Sequence, residues 1–438
     1  MKKKIYIACA VITVVCIAII AYCMGKSAGS KAQAPASAPA PAAEVAQSGE
    51  VKEEPAPAES TEAEDVKEEA TESAPAEDAK DEGASNTQAY DLEYWTEGSK
   101  VAQSIKDYVA EVCDESSSSF VPQEDRIACF DMDGTFIGEL YPTYFDTCMF
   151  VYRVLEDEEY EGDAEMKEFA QMVRDAMNDG TVGEVDMQDL ARHFAKCYSG
   201  MTMDEFADYV VDFKTHEPEG FDNLKYETSF YKPMISVIRY LKANDFRVYV
   251  VSGTERMTVR ALLEDELGDV VPPECIIGSD FTLAASGQED AAGIDYTFAA
   301  SDKVVMGDDL IVKNLKMNKV TAIQRELGKD PILVFGNSTG DFAMAQMALN
   351  NNKYEGRAYM LLCDDTERDY GKPEKAASFK EKCEAAGYIP VSMKDDFATI
   401  YGDDVKLNPA KRPGATEETP DNVIEFPQNE QTEEKKAS

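Results

Sequence analysis

The sequence predicts an α/β fold in three layers, a parallel β-sheet between two layers of helices, with a helical domain inserted after the first strand. Short apolar runs rich in β-branched and aromatic residues occupy positions 127–130, 246–251 and 331–335, and small or acidic residues follow each of them. Such runs are typical of strands buried on both faces of a sheet. Between the runs, apolar residues recur every three to four positions, which indicates helices. Strands that alternate with helices form parallel sheets.

Residues 1–25 predict a membrane anchor or a signal sequence. Lys2, Lys3 and Lys4 precede an uncharged, mainly apolar run over 5–24, and about 20 such residues suffice to cross the hydrocarbon core as a helix. Lysines on the near side place the N-terminus in the cytoplasm and the remaining chain outside. The favoured interpretation is an uncleaved single-pass anchor in the cell membrane. Secretion after cleavage near the small residues 32–34 is the alternative.

Two segments predict disorder, an acidic stalk at 26–88 and a tail at 405–438. Both are rich in small, polar and acidic residues and in proline, and nearly lack large apolar side chains. They therefore bury too little surface to offset their conformational entropy. A single folded domain is expected between them, at 90–404.

Composition argues against several classes of function. The formal net charge is −42, whereas nucleic-acid binding normally requires a basic surface. Only two histidines occur, His193 in a helical pattern and His216 in a predicted loop. Serine–histidine, histidine-phosphatase and zinc chemistries need imidazole in several places. The cysteines between 90 and 404 show no metal-ligand spacing.

Asp131 and Asp133 directly follow the first strand, at the end where ligands bind in open α/β sheets. One carboxylate in this position can attack an electrophile such as phosphorus while the other protonates the leaving oxygen. Gly134 then allows a sharp turn. A solvated loop is the alternative explanation, because Asp-x-Asp pairs also occur in calcium loops and turns.

The span at about 140–228 predicts four helices inserted after the first strand, which we call the cap. Segments near 145–156, 165–177, 187–197 and 203–213 repeat apolar residues at three and four positions, with glycine-containing loops between several of them. Helices inserted at this point of the chain can close over a site and exclude water.

Ser252 and Gly253 follow the second strand and precede a predicted helix, where hydroxyl and backbone N–H groups can hold an anion. Capping of that helix by Ser252 or Thr254 is the alternative. Farther along, 281–283 and 296–298 predict the two strands of a small hairpin.

A helix is then predicted from Asn318 to a stop at Gly328. After the strand at 331–335 come Asn337 and Asp341, in the order Gly-Asn-Ser-Thr-Gly-Asp. A divalent cation needs hard oxygen ligands, which this loop can bring to Asp131.

These residues, taken in order, resemble the four motifs of the haloacid dehalogenase-like hydrolase superfamily, which consists mostly of Mg-dependent phosphatases. The motifs are Asp-x-Asp-Gly-Thr at 131–135, Ser252, Lys319, and a Gly-Asp-x-x-x-Asp motif that reads Gly-Asn-x-x-x-Asp at 336–341. The resemblance implies a Rossmann-like core. The cap resembles the one in the branch that includes phosphoserine and phosphocholine phosphatases.

The resemblance also implies the roles of single residues. Asp131 is expected to form an aspartyl-phosphate, with Asp133 as general acid and then base. Ser252, Gly253 and Lys319 are expected to bind phosphate; Lys316 competes with Lys319 for that place, but the spacing of Lys319 to Ile323 fits the family's helix better. The expected Mg²⁺ ligands are Asp131, Asp133, Asn337 and Asp341. Because Asn337 replaces the family's usual acid, we expect weaker metal binding.

The expected function is a Mg-dependent phosphomonoesterase that acts on a small phosphorylated metabolite at the cell surface. Tyr141, Tyr144 and Phe145 follow the catalytic loop and can enclose a quaternary ammonium by cation–π contact, which favours phosphocholine. Packing of these rings in a core is the alternative, and phosphoserine is the other candidate substrate. A surface binding protein that keeps the fold without catalysis is the alternative function, motivated by Asn337 and the stalk.

Overall fold

The computed structural model describes residues 91–138, 142–351 and 353–411. The predicted anchor, the stalk and most of the predicted tail lie outside the described residues. In the part of the chain that is described, no helix is long and apolar enough to cross a membrane.

A mostly parallel seven-stranded sheet forms the centre of the domain, in the order β5-β4-β3-β1-β6-β7-β8. All pairs in it are parallel except β4 with β5. The predicted α/β class and the three predicted strands are confirmed. The strands are β1 (Ile127–Phe130), β3 (Arg247–Glu255), β4 (Ile276–Ala285), β5 (Val304–Val312), β6 (Leu333–Gly336), β7 (Arg357–Leu362) and β8 (Ile389–Ser392), with β2 (Phe221–Asp222) and β9 (Lys406–Leu407) in a separate pair.

Helices cover both faces of this sheet. All four residues of β1 are buried, Ala128 and Phe130 in one apolar cluster and Ile127 and Cys129 in the other. Side chains alternate along a strand, so this run is apolar at every position because both of its faces are covered. The helices outside the cap are α1 (Lys100–Cys113), α6 (Lys232–Ala243), α7 (Arg256–Leu267), α8 (Met317–Leu327), α9 (Phe342–Leu349), α10 (Pro373–Ala386) and α11 (Met393–Asp396).

The four predicted cap helices are present between β1 and β3. They are α2 (Phe145–Leu155), α3 (Ala164–Asp179), α4 (Met187–Tyr198) and α5 (Met203–Phe213). Side chains of Asp163, Asp186 and Thr202 accept N–H groups of the first turns of α3, α4 and α5, which fixes where each helix begins. The loop before α5 joins the sheet, since Gly200 N–H donates to Met306 O on β5.

The predicted hairpin is half correct. Residues 281–283 lie in β4, but the partner strand is β5, and 296–298 lie in the connecting loop. The Asp302 carboxylate accepts the Tyr296 hydroxyl and the Ala299 N–H, and these bonds hold the segment in a turn although its residues have high β-propensity.

The segment 397–411, which we call the C-terminal strap, crosses to the base of the cap. Its strand β9 pairs antiparallel with β2, and Ile400 O accepts the N–H of Lys232 at the start of α6. The Tyr401 hydroxyl lies so close to Gly138 that a Cβ there would approach it to 2.6 Å. Because β9 lies beyond position 404, the folded chain extends past the predicted domain end.

Candidate active site

The end of β1 places two carboxylates at the centre of the sheet. Asp131 N–H donates to Phe335 O on the neighbouring β6 at 2.9 Å. The chain then turns: Met132 O accepts the N–H groups of Thr135 and Phe136, and Gly134 has φ of 73°. Asp131 and Asp133 are each 7% exposed, so the solvated-loop explanation of this pair is wrong.

Lys319 joins the first and last of the predicted site residues. Its Nζ lies 2.5 Å from Asp131 Oδ1 and 2.7 Å from Asp341 Oδ1. The lysine is 1% exposed although it belongs to the first turn of α8. Lys316, the competing candidate, is exposed. The structure therefore brings Lys319 to Asp131, as the sequence predicts.

Burial and charge act in opposite directions on this cluster. Burial, together with the Asp341 carboxylate, raises the pKa of Asp131 to about 6, although Lys319 acts to lower it. Burial disfavours the charged form of Lys319, but the carboxylates of Asp131 and Asp341 outweigh it and raise the lysine pKa. The lysine is therefore held as a cation, and Asp131 is ionised above its raised pKa.

Asp341 fixes the loop that follows β6. Its Oδ2 accepts the N–H groups of Asn337 and Ser338 and the Ser338 hydroxyl, at 3.1 to 3.2 Å. Both of its carboxylate oxygens thus have partners in the protein, one in Lys319 and the other in the loop. These contacts give Asp341 a positioning role in the loop, and its role as a metal ligand stays a prediction.

Ser252 and Gly253 lie on β3 itself, because the strand continues to Glu255. The Glu255 carboxylate accepts the N–H groups of Met257 and Thr258 and so caps α7. Capping by Ser252 or Thr254 is therefore wrong as an explanation. Ser252 is fully buried, and its hydroxyl accepts the Thr254 N–H at 3.0 Å.

Two residues that the sequence analysis did not predict form hydrogen bonds to the main-chain carbonyls at this strand end. Asn314 Nδ2 donates to Ser252 O at 3.0 Å, and the Ser279 hydroxyl donates to Gly253 O at 2.6 Å. A Cβ at Gly253 would lie 2.7 Å from Leu315 Cδ2, so a larger residue there would require the leucine side chain to shift.

Thr254 is a third residue that the sequence analysis did not assign to the site. Its hydroxyl donates to Asp133 Oδ2 at 2.8 Å. Residues i and i+2 of a strand share a face, so its spacing from Ser252 was the signal that could have placed it there.

Oxygen donors make the site chemically suitable for Mg²⁺. Among the described residues, no group of three or more His, Cys, Asp or Glu is arranged as a metal site. The predicted ligand set consists of the Asp131 and Asp341 carboxylates, the Asp133 carbonyl and the Asn337 amide, and it needs only two such side chains. These are hard oxygen ligands of the type that Mg²⁺ accepts, with water completing its shell.

Of the three aromatic residues predicted to enclose a quaternary ammonium, the structure describes Tyr144 and Phe145. Phe145 is buried, and its ring centroid lies 5.3 Å from those of Phe213 and Tyr226. Tyr144 is partly exposed at the start of α2, and Tyr141 lies outside the described residues. For Phe145, core packing is the explanation that the contacts support.

Comparisons with known proteins agree with this geometry. The family model described as haloacid dehalogenase-like hydrolase matches residues 128–346, half of the chain. This span contains all the predicted site residues. No curated protein matches the chain.

Several solved structures are similar at low identity. A functionally unknown protein from Anaerococcus prevotii is 15% identical, with 67% of this chain and 91% of that chain covered, at a TM-score of 0.42. Cytosolic 5′-nucleotidase IIIB bound to cytidine is 12% identical, with coverages of 68% and 86% and a TM-score of 0.40. A probable phosphoserine phosphatase from Vibrio cholerae is 11% identical, with 62% of each chain covered, at a TM-score of 0.30. These scores are too low to inform function.

Proposed function

This chain belongs to the haloacid dehalogenase-like hydrolase family, and from that premise we propose that it is a Mg²⁺-dependent phosphomonoesterase. The observation that carries the proposal is the buried cluster of Asp131 and Lys319 at the end of β1, with Asp133 beside it. Phosphoryl transfer requires positioning and charge neutralisation above all, and these groups supply both.

Asp131 is the proposed nucleophile. Its carboxylate oxygen forms a bond to phosphorus while the bond from phosphorus to the leaving oxygen breaks, and Asp133 gives a proton to that oxygen. Asp133 then takes a proton from water, whose oxygen attacks phosphorus and releases phosphate from Asp131. The Lys319 ammonium offsets negative charge on Asp131 and on the phosphoryl group.

Ser252 and Gly253 are the proposed phosphate ligands. Among the described residues, the Ser252 hydroxyl accepts one N–H and donates to no protein acceptor, so its proton is available to a phosphate oxygen. Asn314 and Ser279 fix the carbonyls of Ser252 and Gly253, which holds the strand end in one conformation. A pre-ordered anion site of this kind loses little entropy on binding.

Mg²⁺ is the proposed cofactor, and Asp131, the Asp133 carbonyl, Asn337 and Asp341 would hold it. When bound, it would neutralise charge on the transferring phosphoryl group. The Asp341 carboxylate would keep Asn337 in place, because it accepts the main-chain N–H of Asn337.

The proposed substrate is a small monoester of the phosphocholine or phosphoserine type. Tyr144 is the described aromatic residue on which the phosphocholine hypothesis now depends. A Tyr144→Ala variant with an unchanged preference for phosphocholine over phosphoserine would count against it.

The proposal includes a location outside the cytoplasm, on a single membrane anchor. Its support is the apolar run 5–24 after three lysines, which lies outside the described residues. Fractionation and protease treatment of intact cells test it. Protease protection of the domain in intact cells would contradict it.

The experiment that tests the activity is release of phosphate from a generic aryl phosphate by the full-length chain, with Mg²⁺ and with chelator. We expect Mg²⁺-dependent release that disappears in the Asp131→Asn variant. No release from the folded wild-type chain under either condition would favour the alternative function, a surface binding protein. In that case Asn337→Asp is the first variant to examine, because it restores the usual acid.

A further inference from the structure

A hydrogen bond joins the second catalytic aspartate to the neighbouring strand. Strands β1 and β3 are parallel partners, with Phe130 opposite Val250, so their ends lie side by side. The Thr254 hydroxyl donates to Asp133 Oδ2 at 2.8 Å, and the two residues are 3% and 7% exposed. A bond this buried is not in competition with bulk water.

Thr254 has little freedom to place its hydroxyl elsewhere. Its main-chain N–H donates to the Ser252 hydroxyl at 3.0 Å, and the next residue, Glu255, is fixed by capping α7. A β-branched side chain is also restricted at χ1. The same short segment therefore holds both a proposed phosphate ligand and a partner of the proposed general acid.

Resting on the proposed function, we propose that Thr254 is a positioning residue whose hydrogen bond to Oδ2 orients the Asp133 carboxyl group for the proton exchanged with substrate. A carboxyl group that is held in one orientation transfers its proton more readily than one that must first rotate into place. In the first step, the Asp131 carboxylate forms a bond to phosphorus, the bond from phosphorus to the leaving oxygen breaks, and that oxygen keeps the bonding electrons and takes the proton from the Asp133 carboxyl group. In the second step, the Asp133 carboxylate receives a proton from the attacking water.

The other explanation of this bond is structural, a tie between two strand ends. The two explanations differ in how the loss of the hydroxyl depends on the substrate. Protonation of the leaving group matters most for a poor leaving group such as an alkyl alcohol and least for a nitrophenolate. A purely structural defect lowers activity toward both substrates equally.

The test compares Thr254→Val, which removes the hydroxyl but keeps the branched shape, with Thr254→Ser, which keeps a hydroxyl. Values of kcat/KM are measured in the full-length chain for a simple alkyl phosphate and for p-nitrophenyl phosphate. Thr258→Val is the matched control, because Thr258 is also buried and its hydroxyl binds Glu255, away from Asp133.

For Thr254→Val we expect kcat/KM to fall about 10-fold or more for the alkyl phosphate and clearly less for the aryl phosphate. Thr254→Ser should restore most of the loss. The inhibition constant of inorganic phosphate should not change, because the phosphate ligands remain. Thr258→Val should keep the wild-type ratio between the two substrates.

Equal losses for both substrates in Thr254→Val, or no loss in either, would overturn the positioning role. If Thr254→Val does not fold, Thr254→Ser and Thr254→Cys give a graded series in hydroxyl strength, and an alkyl-to-aryl ratio that stays constant along it would also overturn the role. Absence of activity toward both substrates in the folded wild-type chain would instead refute the proposed phosphatase function.

Discussion

An aspartate in contact with lysine lies at each end of β1, and the lysine side chains at the two ends differ in how far they are buried. Asp125, before the strand, accepts Lys329, Lys353 and the Tyr354 hydroxyl at 2.6 to 2.7 Å. Its lysine side chains are 40% and 68% exposed. Asp131, after the strand, meets Lys319, whose side chain is 1% exposed.

This difference in burial shifts the pKa values of the two aspartates in opposite directions. Hydrogen bonds from Lys329, Lys353 and Tyr354 lower the pKa of Asp125, whereas burial raises that of Asp131 although a lysine touches it. An aspartate among solvated lysines is a stable anion, and a buried one next to a second carboxylate is a more basic nucleophile. The type of partner residue alone therefore does not separate a structural cluster from a reactive one.

The largest expected effect comes from removing the buried aspartate charge. Asp131→Asn should lower kcat by at least about 10³-fold, because the nucleophile is lost. Asp125→Asn should leave kcat within about twofold, since the residue lies at the other end of the strand. Steady-state phosphate release measures both. Comparable losses in the two variants would contradict the division of roles.

The two lysines should differ in their contribution to stability. Lys319→Met leaves two buried carboxylates without their cation and should lower the free energy of unfolding by about 3–5 kcal/mol. Lys329→Met should cost less than about 1 kcal/mol, because the lysine is exposed and Lys353 still contacts Asp125. Urea unfolding of both variants tests this. A cost for Lys329→Met as large as that for Lys319→Met would refute the comparison.

Asp369 extends the comparison to a buried aspartate without a lysine. It is 1% exposed and accepts the Tyr401 hydroxyl at 2.8 Å, and burial raises its pKa from 3.8 to about 7. Between about pH 4 and 7 the folded chain holds a proton that the unfolded chain has lost. This stabilisation is therefore complete below about pH 4 and disappears as the pH rises through 7.

The wild-type stability relative to Asp369→Asn should therefore fall by roughly 2 kcal/mol between pH 5 and pH 8. Urea unfolding of both chains at the two pH values measures it, and the difference between chains cancels other titrating groups. A stability difference that is constant with pH, or a wild-type advantage that grows as the pH rises, would show that folding does not raise the pKa of Asp369.

The smallest expected effect is that of salt on the exposed cluster. Asp125→Asn should cost about 1 kcal/mol of stability at low ionic strength, and this cost should shrink in about 1 M salt because exposed charges are screened. Denaturation in urea at both salt concentrations tests it. A loss of stability in Asp125→Asn that is the same at both salt concentrations would mean that the charges around Asp125 are shielded from solvent, as in a buried cluster.

Local patterns predicted much of the fold. The apolar run of β1 and the cap helices each follow from residues within one segment, whereas the family resemblance predicted that Lys319, at the start of α8, lies beside Asp131. Thr254 and Asn314 were missed because their roles depend on partners on other strands and loops, such as Asp133 and Ser252. Hydrogen bonds across more than 60 residues leave no periodic signal in a sequence.

The hairpin and the end of the domain were missed for related reasons. Residues 296–298 have the composition of a strand, but a turn closed by Asp302 overrides it. In β9, Lys406 and Leu407 form a strand only through pairing with β2, nearly 200 residues earlier. Composition therefore cannot distinguish such a segment from a tail.

The C-terminal strap also has a consequence for synthesis of the chain. Every proposed catalytic residue has been synthesised once Asp341 is made, yet the strand partner of β2 and the ring against Gly138 follow more than 50 residues later. A chain that ends between these points contains all the proposed catalytic residues but lacks the support at the base of its cap. We expect released chains truncated before Phe397 to be cleaved by protease within the cap, and released chains that include Lys411 to resist.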